Sequence, residues 1–263
     1  MAIAIVQSKG TDAASGSSGL QLTLTSNVTS ANLLVALCVI QDPSEVISAG
    51  QVTGGGTWAL TKTINNPNPV STGQCGIFEC DNATGGATTV TFNPGSTTGD
   101  GIALAVYELS GAAASPDDGQ NATNFSSTTT SPTAGNIVTS AAGGIVFGFC
   151  ADGTNTQTWA AQTAWTLGQH DNNAGNIAYA VVYQLTGSAG TYNPGITATT
   201  ANNFSVVGAA FKSSGGGGGT PLFRNANLDG CSSSGPFFGN LVPRTLKKIG
   251  SLFVPDRRIL IPA

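Results

Sequence analysis

Apolar positions along this chain fall in short runs that either alternate with polar ones or continue without interruption. No 3.6-residue rhythm with helix caps competes with them. The runs are Ala2–Gln7, Leu20–Thr25, Leu33–Ile40, Trp58–Ile64, Cys75–Cys80, Thr88–Phe92 and Ile102–Leu109. After a polar stretch they resume as Asn136–Thr139, Ile145–Cys150, Ala164–Gly168, Ile177–Leu185 and Phe204–Lys212. Gly, Asn, Pro and Ser bound them, the residues that turn a chain between strands. Many short strands without intervening helices predict an all-β fold, a sandwich or jelly roll.

The order of the runs repeats. Leu33-Leu34-Val35-Ala36-Leu37-Cys38 is echoed by Ile145-Val146-Phe147-Gly148-Phe149-Cys150, and Trp58-Ala59-Leu60 by Trp165-Thr166-Leu167. Thr91-Phe92-Asn93-Pro94-Gly95 is echoed by Thr191-Tyr192-Asn193-Pro194-Gly195, and Tyr107-Glu108 by Phe211-Lys212. Matches in one order through both halves predict a duplicated unit. The expectation is a tandem or duplicated, jelly-roll-like β-sandwich, with a first unit over 1–111 and a related second over 112–214. The Ser/Asp/Asn/Thr-rich segment Ala112–Pro132 reads as their connection, and both Asn-Pro-Gly sites read as turns. The pattern is compatible with one shared pair of sheets and with two separate sandwiches.

Composition sharpens the picture at one point. Charged residues are 8% of the chain, against roughly 25% in ordinary domains. They are not evenly spread. Before the glycine linker 215–219 stand three cations and eleven acids, net −8; after it, in 220–263, stand six cations and two acids, net +4. This basic tail also carries apolar groups in a Pro-, Gly- and Ser-rich context too short to bury them by itself. It reads as a C-terminal docking tail, with Phe223, Arg224, Phe237, Phe238, Arg244, Lys247, Lys248, Phe253, Arg257 and Arg258 as the partner-docking residues. Two other readings stay open: a strap within this protein's own fold or homo-oligomer, and a binder of nucleic acid or membrane. The scattered cations argue against the last, so neither nucleic acid nor membrane is expected as a partner.

Candidate chemistry is sparse. The single histidine, His170, has no nucleophile motif beside it and reads as a loop residue. Glu79 and Glu108 are the carboxylate pair a glycosidase would need in one cleft. Asp117, Asp118 and Asn121, or Asp81, Asn82 and Asp100, are loop oxygens of the kind that bind calcium, without an EF-hand pattern. Trp58, Trp159 and Trp165 form the candidate sugar-stacking set, with a core role the competing one. The five cysteines make no zinc pattern, and Cys38, Cys75, Cys80 and Cys150 read as buried free thiols. The expectation is a non-catalytic protein with no cofactor and no metal. The start lacks a basic, then apolar leader, and no run reaches the roughly 20 apolar residues of a membrane span, so synthesis in the cytoplasm is expected.

The sequence of an apolar strand (Leu33–Ile40), a Trp-X-Leu strand, the run Gly85–Phe92 and then Ile102–Gly111 is similar to β-sandwich modules of tailed-phage virion accessory proteins and of some bacterial surface proteins. The glycine linker with Asn227–Gly230 and Gly235–Phe238 beyond it resembles the same class. The resemblance implies a capsid-decoration, collar or fibre component of a bacteriophage virion, made in the host bacterial cytoplasm and extracellular after lysis. Its implied partners are other virion proteins of capsid or neck and further copies of itself, a homo-oligomer for which trimers are common. A carbohydrate- or receptor-binding, adhesin-like module that meets a host-surface glycan is the alternative. No catalytic residues carry over.

Overall fold

A computed structural model of the chain describes residues 1–13, 19–41, 45–64, 74–86, 89–95, 101–125, 127–152, 156–172 and 177–215. The chain divides into two units, Met1–Gly218 and Gly219–Ala263, of which the second lies outside the described residues. Every described regular element is a strand, in antiparallel sheets. The first half contributes β1 (Ala4–Ala13), β2 (Leu20–Thr23), β3 (Leu33–Ile40), β4 (Val52–Thr53), β5 (Ala59–Ile64), β6 (Gln74–Cys80), β7 (Thr89–Phe92) and β8 (Ile102–Ser110). The second contributes β9 (Ala112–Asn124), β10 (Ile137–Thr139), β11 (Ile145–Asp152), β12 (Trp159–Ala161), β13 (Thr166–Asp171), β14 (Ala178–Leu185), β15 (Gly190–Tyr192), β16 (Ile196–Ala198) and β17 (Ser205–Ser213).

The two halves share one topology. The large sheet of the first has the order β1-β8-β3-β6-β5, and that of the second, read from its other edge, β9-β17-β11-β14-β13. Strand for strand these correspond, and the small sheet β2-β7-β4 corresponds to the pairs β10-β15 and β12-β16. The interleaving of first, last, third and sixth strands is the jelly-roll arrangement of two Greek keys.

Burial explains why the central strands read as unbroken apolar runs. In β3, Leu33, Val35, Leu37 and Val39 face a core shared with β11, β14 and β17 of the other half. Leu34, Ala36, Cys38 and Ile40 face a separate core beneath β2, β4 and β7. A strand covered on both faces has no solvent side to mark with polar residues. In the second half, Cys150, Ala180, Val182 and Val206 face an outer core with Trp159, Ile196 and Phe204. The layers are thus small sheet, large sheet, large sheet, small sheets, with one central core and an outer core on each side.

Three sequence expectations are corrected. The supposed connection Ala112–Pro132 begins with the longest described strand, β9, whose polar residues pair with β17 from Asn124–Ser205 to Ala112–Ser213. It escaped notice because it is an edge strand whose register comes from its partner rather than from its own alternation. The two Asn-Pro-Gly sites have diverged. Gly95 has φ +100° and its amide is held by Asn93 Oδ1, a turn that requires glycine. Gly195 instead bridges Thr133 within the outer layer, between β15 and β16. Finally, His170 lies in β13 beside a bulge rather than in a loop.

The large sheets meet along two lateral seams, β1 beside β13 and β5 beside β9. The first is closed by reciprocal tyrosine–glycine contacts. The Tyr107 hydroxyl from β8 sits over Gly168 of β13, and the Tyr179 hydroxyl from β14 sits over Gly10 of β1. The Gln169 backbone N–H donates to the Tyr107 hydroxyl at 2.7 Å, and Gln169 Nε2 donates to Ser8 Oγ at 3.0 Å. A methyl at Gly168 would overlap that hydroxyl, whose ring is fixed in the core. Gly168→Ala is expected to destabilise the block by about 1–3 kcal/mol through overpacking. Gly187→Ala, where a Cβ meets nothing, should leave the midpoint of urea unfolding nearly unmoved.

Candidate functional site

The partner-docking residues Phe223, Arg224, Phe237, Phe238, Arg244, Lys247, Lys248, Phe253, Arg257 and Arg258 all lie outside the described residues. What the structure places is the chemistry of the body.

Glu79 and Glu108 stand on adjacent registers of the same sheet but on opposite faces. Glu79 pairs with Val35 and follows Ile77, which faces the central core; Glu108 pairs with Leu34 and follows Val106, which faces the outer core. The side-chain period of two separates them by the thickness of the sheet, so they share no cleft. Glu108 is fully buried. Its Oε1 accepts from the Thr29 backbone N–H at 2.8 Å and Asn32 Nδ2 at 2.6 Å, and Oε2 accepts from Gln7 Nε2 at 2.6 Å. Burial raises its pKa, but these hydrogen bonds, with one from the Thr29 hydroxyl, outweigh it and leave the pKa below the usual 4.5. The carboxylate is a clamp between β8, β1 and the approach to β3.

Glu79 is in the opposite condition. Its Oε2 is buried with no hydrogen bond of normal geometry, and so is the hydroxyl of Thr61 on β5. Burial first, then the negative charges of Asp81 and Asp117, push its pKa up to about 7 against the opposing pull of the nearby Thr61 hydroxyl. Asp117 belongs to β9 of the other half, so this acidic cluster spans the β5–β9 seam.

The proposed calcium oxygens are engaged internally. The Asp118 carboxylate accepts from the Ser140 backbone N–H and hydroxyl, and Asp117 Oδ1 accepts from the Gly119 N–H at 3.2 Å. Asn121 Nδ2 donates to the Asn136 carbonyl at 2.9 Å. The Asp118 and Asn121 contacts tie β9 to the flanks of β10. Asn82 occupies a positive-φ turn after β6, and Asp100 lies outside the described residues. Among the described residues no group of three His, Cys, Asp or Glu is placed to hold a metal ion.

Trp159 is buried, edge-on to Phe204, with Nε1 donating to the Asp171 carbonyl at 2.9 Å. Trp58 and Trp165 are half-buried, Trp58 donating to the Gly54 carbonyl at 2.7 Å. They pack on the outer cores of opposite halves, so the three rings form no common platform. His170 is exposed, its Nδ1 2.9 Å from the Gly168 carbonyl oxygen. Cys38, Cys75, Cys80 and Cys150 are buried free thiols. Burial raises the pKa of each, that of Cys80 to about 11, so as thiols they are poor nucleophiles.

Fold and side chains together define the class: an all-β protein of two like jelly rolls joined through their large sheets. Compared with known proteins, the chain matches no family model, no curated sequence and no solved structure.

Proposed function

We propose that this protein is a non-catalytic structural component of a bacteriophage virion, a capsid-decoration, collar or fibre protein anchored by its C-terminal tail. The observation that carries the reading is the change of character at the glycine linker, from a net charge of −8 before it to +4 after it. Supporting it, the body before the linker spends its polar groups internally: Glu108, Asp118 and Gln157 all serve to pin loops and strands. Jelly rolls are recurrent in capsid and lectin domains, which is an argument from fold alone. Such a body suits a rigid spacer, and the tail supplies what a partner would grip, aromatic anchors among Arg and Lys.

Deleting residues 215–263 is expected to abolish co-sedimentation with the particle while the circular dichroism and unfolding midpoint of the body stay unchanged. Equal co-sedimentation of the truncated chain would overturn the anchoring role. A second reading, glycan recognition, is favoured by the partial exposure of Trp58 and Trp165. Saturable quenching of tryptophan fluorescence by a glycan, retained after the deletion, would select it instead.

A further inference from the structure

The duplicated architecture allows the two seams to be compared position by position. In the echo, Val35 corresponds to Phe147 and Tyr107 to Phe211. Val35 pairs with Glu79 where Phe147 pairs with Tyr183; Tyr107 pairs with Ser8 where Phe211 pairs with Asp117. The β1–β13 seam therefore carries Tyr183 and Ser8 where the β5–β9 seam carries Glu79 and Asp117. The first holds Asp12 of β1 and Asp171 of β13 beside Tyr179, neither of them without a partner, and is bonded through Gln169 to Tyr107 and Ser8. The second places two carboxylates across the junction of the halves, adds Asp81, and leaves Glu79 Oε2 buried with no hydrogen bond of normal geometry.

We propose that the β5–β9 seam is a pH-dependent latch, closed when Glu79 is protonated and loosened when it ionises, with the β1–β13 seam as the fixed side. This inference does not depend on the virion reading.

The groups around Glu79 come from each element packed there. Asp81 lies in the turn after β6, Asp117 on β9, and Thr61 and Lys62 on β5, with Lys62 opposite Ile77. Lys212 of β17 donates to the Asp117 backbone carbonyl at 3.4 Å. Among the described residues neither lysine forms an ion pair with Glu79. Ionised Glu79 thus faces two like charges, which the neighbouring Thr61 hydroxyl offsets only in part. The neutral acid removes the repulsion and supplies its own proton as a donor.

The sign follows. Glu79 has its pKa raised from 4.5 to about 7, so between those values the folded chain binds the proton that the unfolded chain has lost. The stabilisation is complete below about pH 4.5 and is lost as pH rises through about 7.

The test is hydrogen exchange with mass-spectrometric readout on the full chain, corrected for the intrinsic pH dependence of exchange. Protection of peptides from β5 and β9 should fall about tenfold between pH 5.5 and 8 while that of β1 and β13 holds. Glu79→Gln should abolish that fall, and Asp117→Asn should shift its midpoint to lower pH. A Glu79→Gln protein with the wild-type pH profile, or an equal loss at all four edge strands, would overturn the latch.

Discussion

Phe147→Ala is expected to lower the stability of the body by about 3–5 kcal/mol, the usual cost of emptying an aromatic site in a core. It should do so in a single unfolding transition. Phe147 is fully buried on β11, with its ring 4.9 Å from that of Tyr107 in the first half and 6.2 Å from that of Phe211 in its own. The core it occupies takes residues from both large sheets. The cavity therefore weakens the interface that makes two jelly rolls into one block, not only the half that carries the substitution. Urea unfolding followed by tryptophan fluorescence, which samples both halves, and by far-ultraviolet circular dichroism checks this. Coincident curves displaced to lower urea are expected; a transition confined to one half would refute the shared core.

Glu108→Ala is the other large effect, expected to cost about 2–3 kcal/mol because hydrogen bonds to a charged acceptor are strong and three part-buried bonds are lost together. The Thr29 N–H, Asn32 Nδ2 and Gln7 Nε2 would each lose a partner. Gln7 would be released only in part, since its Oε1 also accepts from the Thr25 hydroxyl and the Ser26 N–H. Unfolding midpoints of the alanine and glutamine variants measure the effect, and a loss below 1 kcal/mol for alanine would show the clamp to be dispensable. The pH dependence has a definite sign. The Glu108 pKa is lowered from 4.5, so its contribution is full above that value and is lost as pH falls through the lower, folded value. Glu79 works the other way, losing its contribution between about pH 4.5 and 7. The two together place the greatest stability toward the lower end of that interval.

How much of this is visible without coordinates depends on the reach of each interaction. Leu33–Ile40 and Ile145–Cys150 are legible as strands because both faces are buried, so the whole run is apolar. The duplication is legible because equivalent strands meet equivalent environments. β9 is not, because an edge strand built of Ala with Asp, Asn, Ser and Thr shows no alternation, and its pairing with β17 fixes its conformation. Nor is the split of the return strand at Gly195, since the same tripeptide makes a true turn at Gly95.

The candidate chemistry divides in the same way. That Glu79 and Glu108 sit in apolar strands is plain from the chain. Their opposite fates come from the register of β6 and β8 on β3, which turns one carboxylate to the central core and the other to the outer one. The Tyr107–Gly168 and Tyr179–Gly10 contacts have no local signal, because each joins residues far apart in the chain and depends on how two sheets lie against each other. The sequence by itself determined an all-β chain, its repeat and the break in charge at the glycine linker, because strand period, turn chemistry and net charge are local sums. Only the tertiary structure decided that the halves share a core, and which acids meet at each seam, Asp12 and Asp171 with partners at one and Glu79 with a buried, unbonded oxygen at the other. Those properties belong to pairs of residues, and pairing is settled by packing.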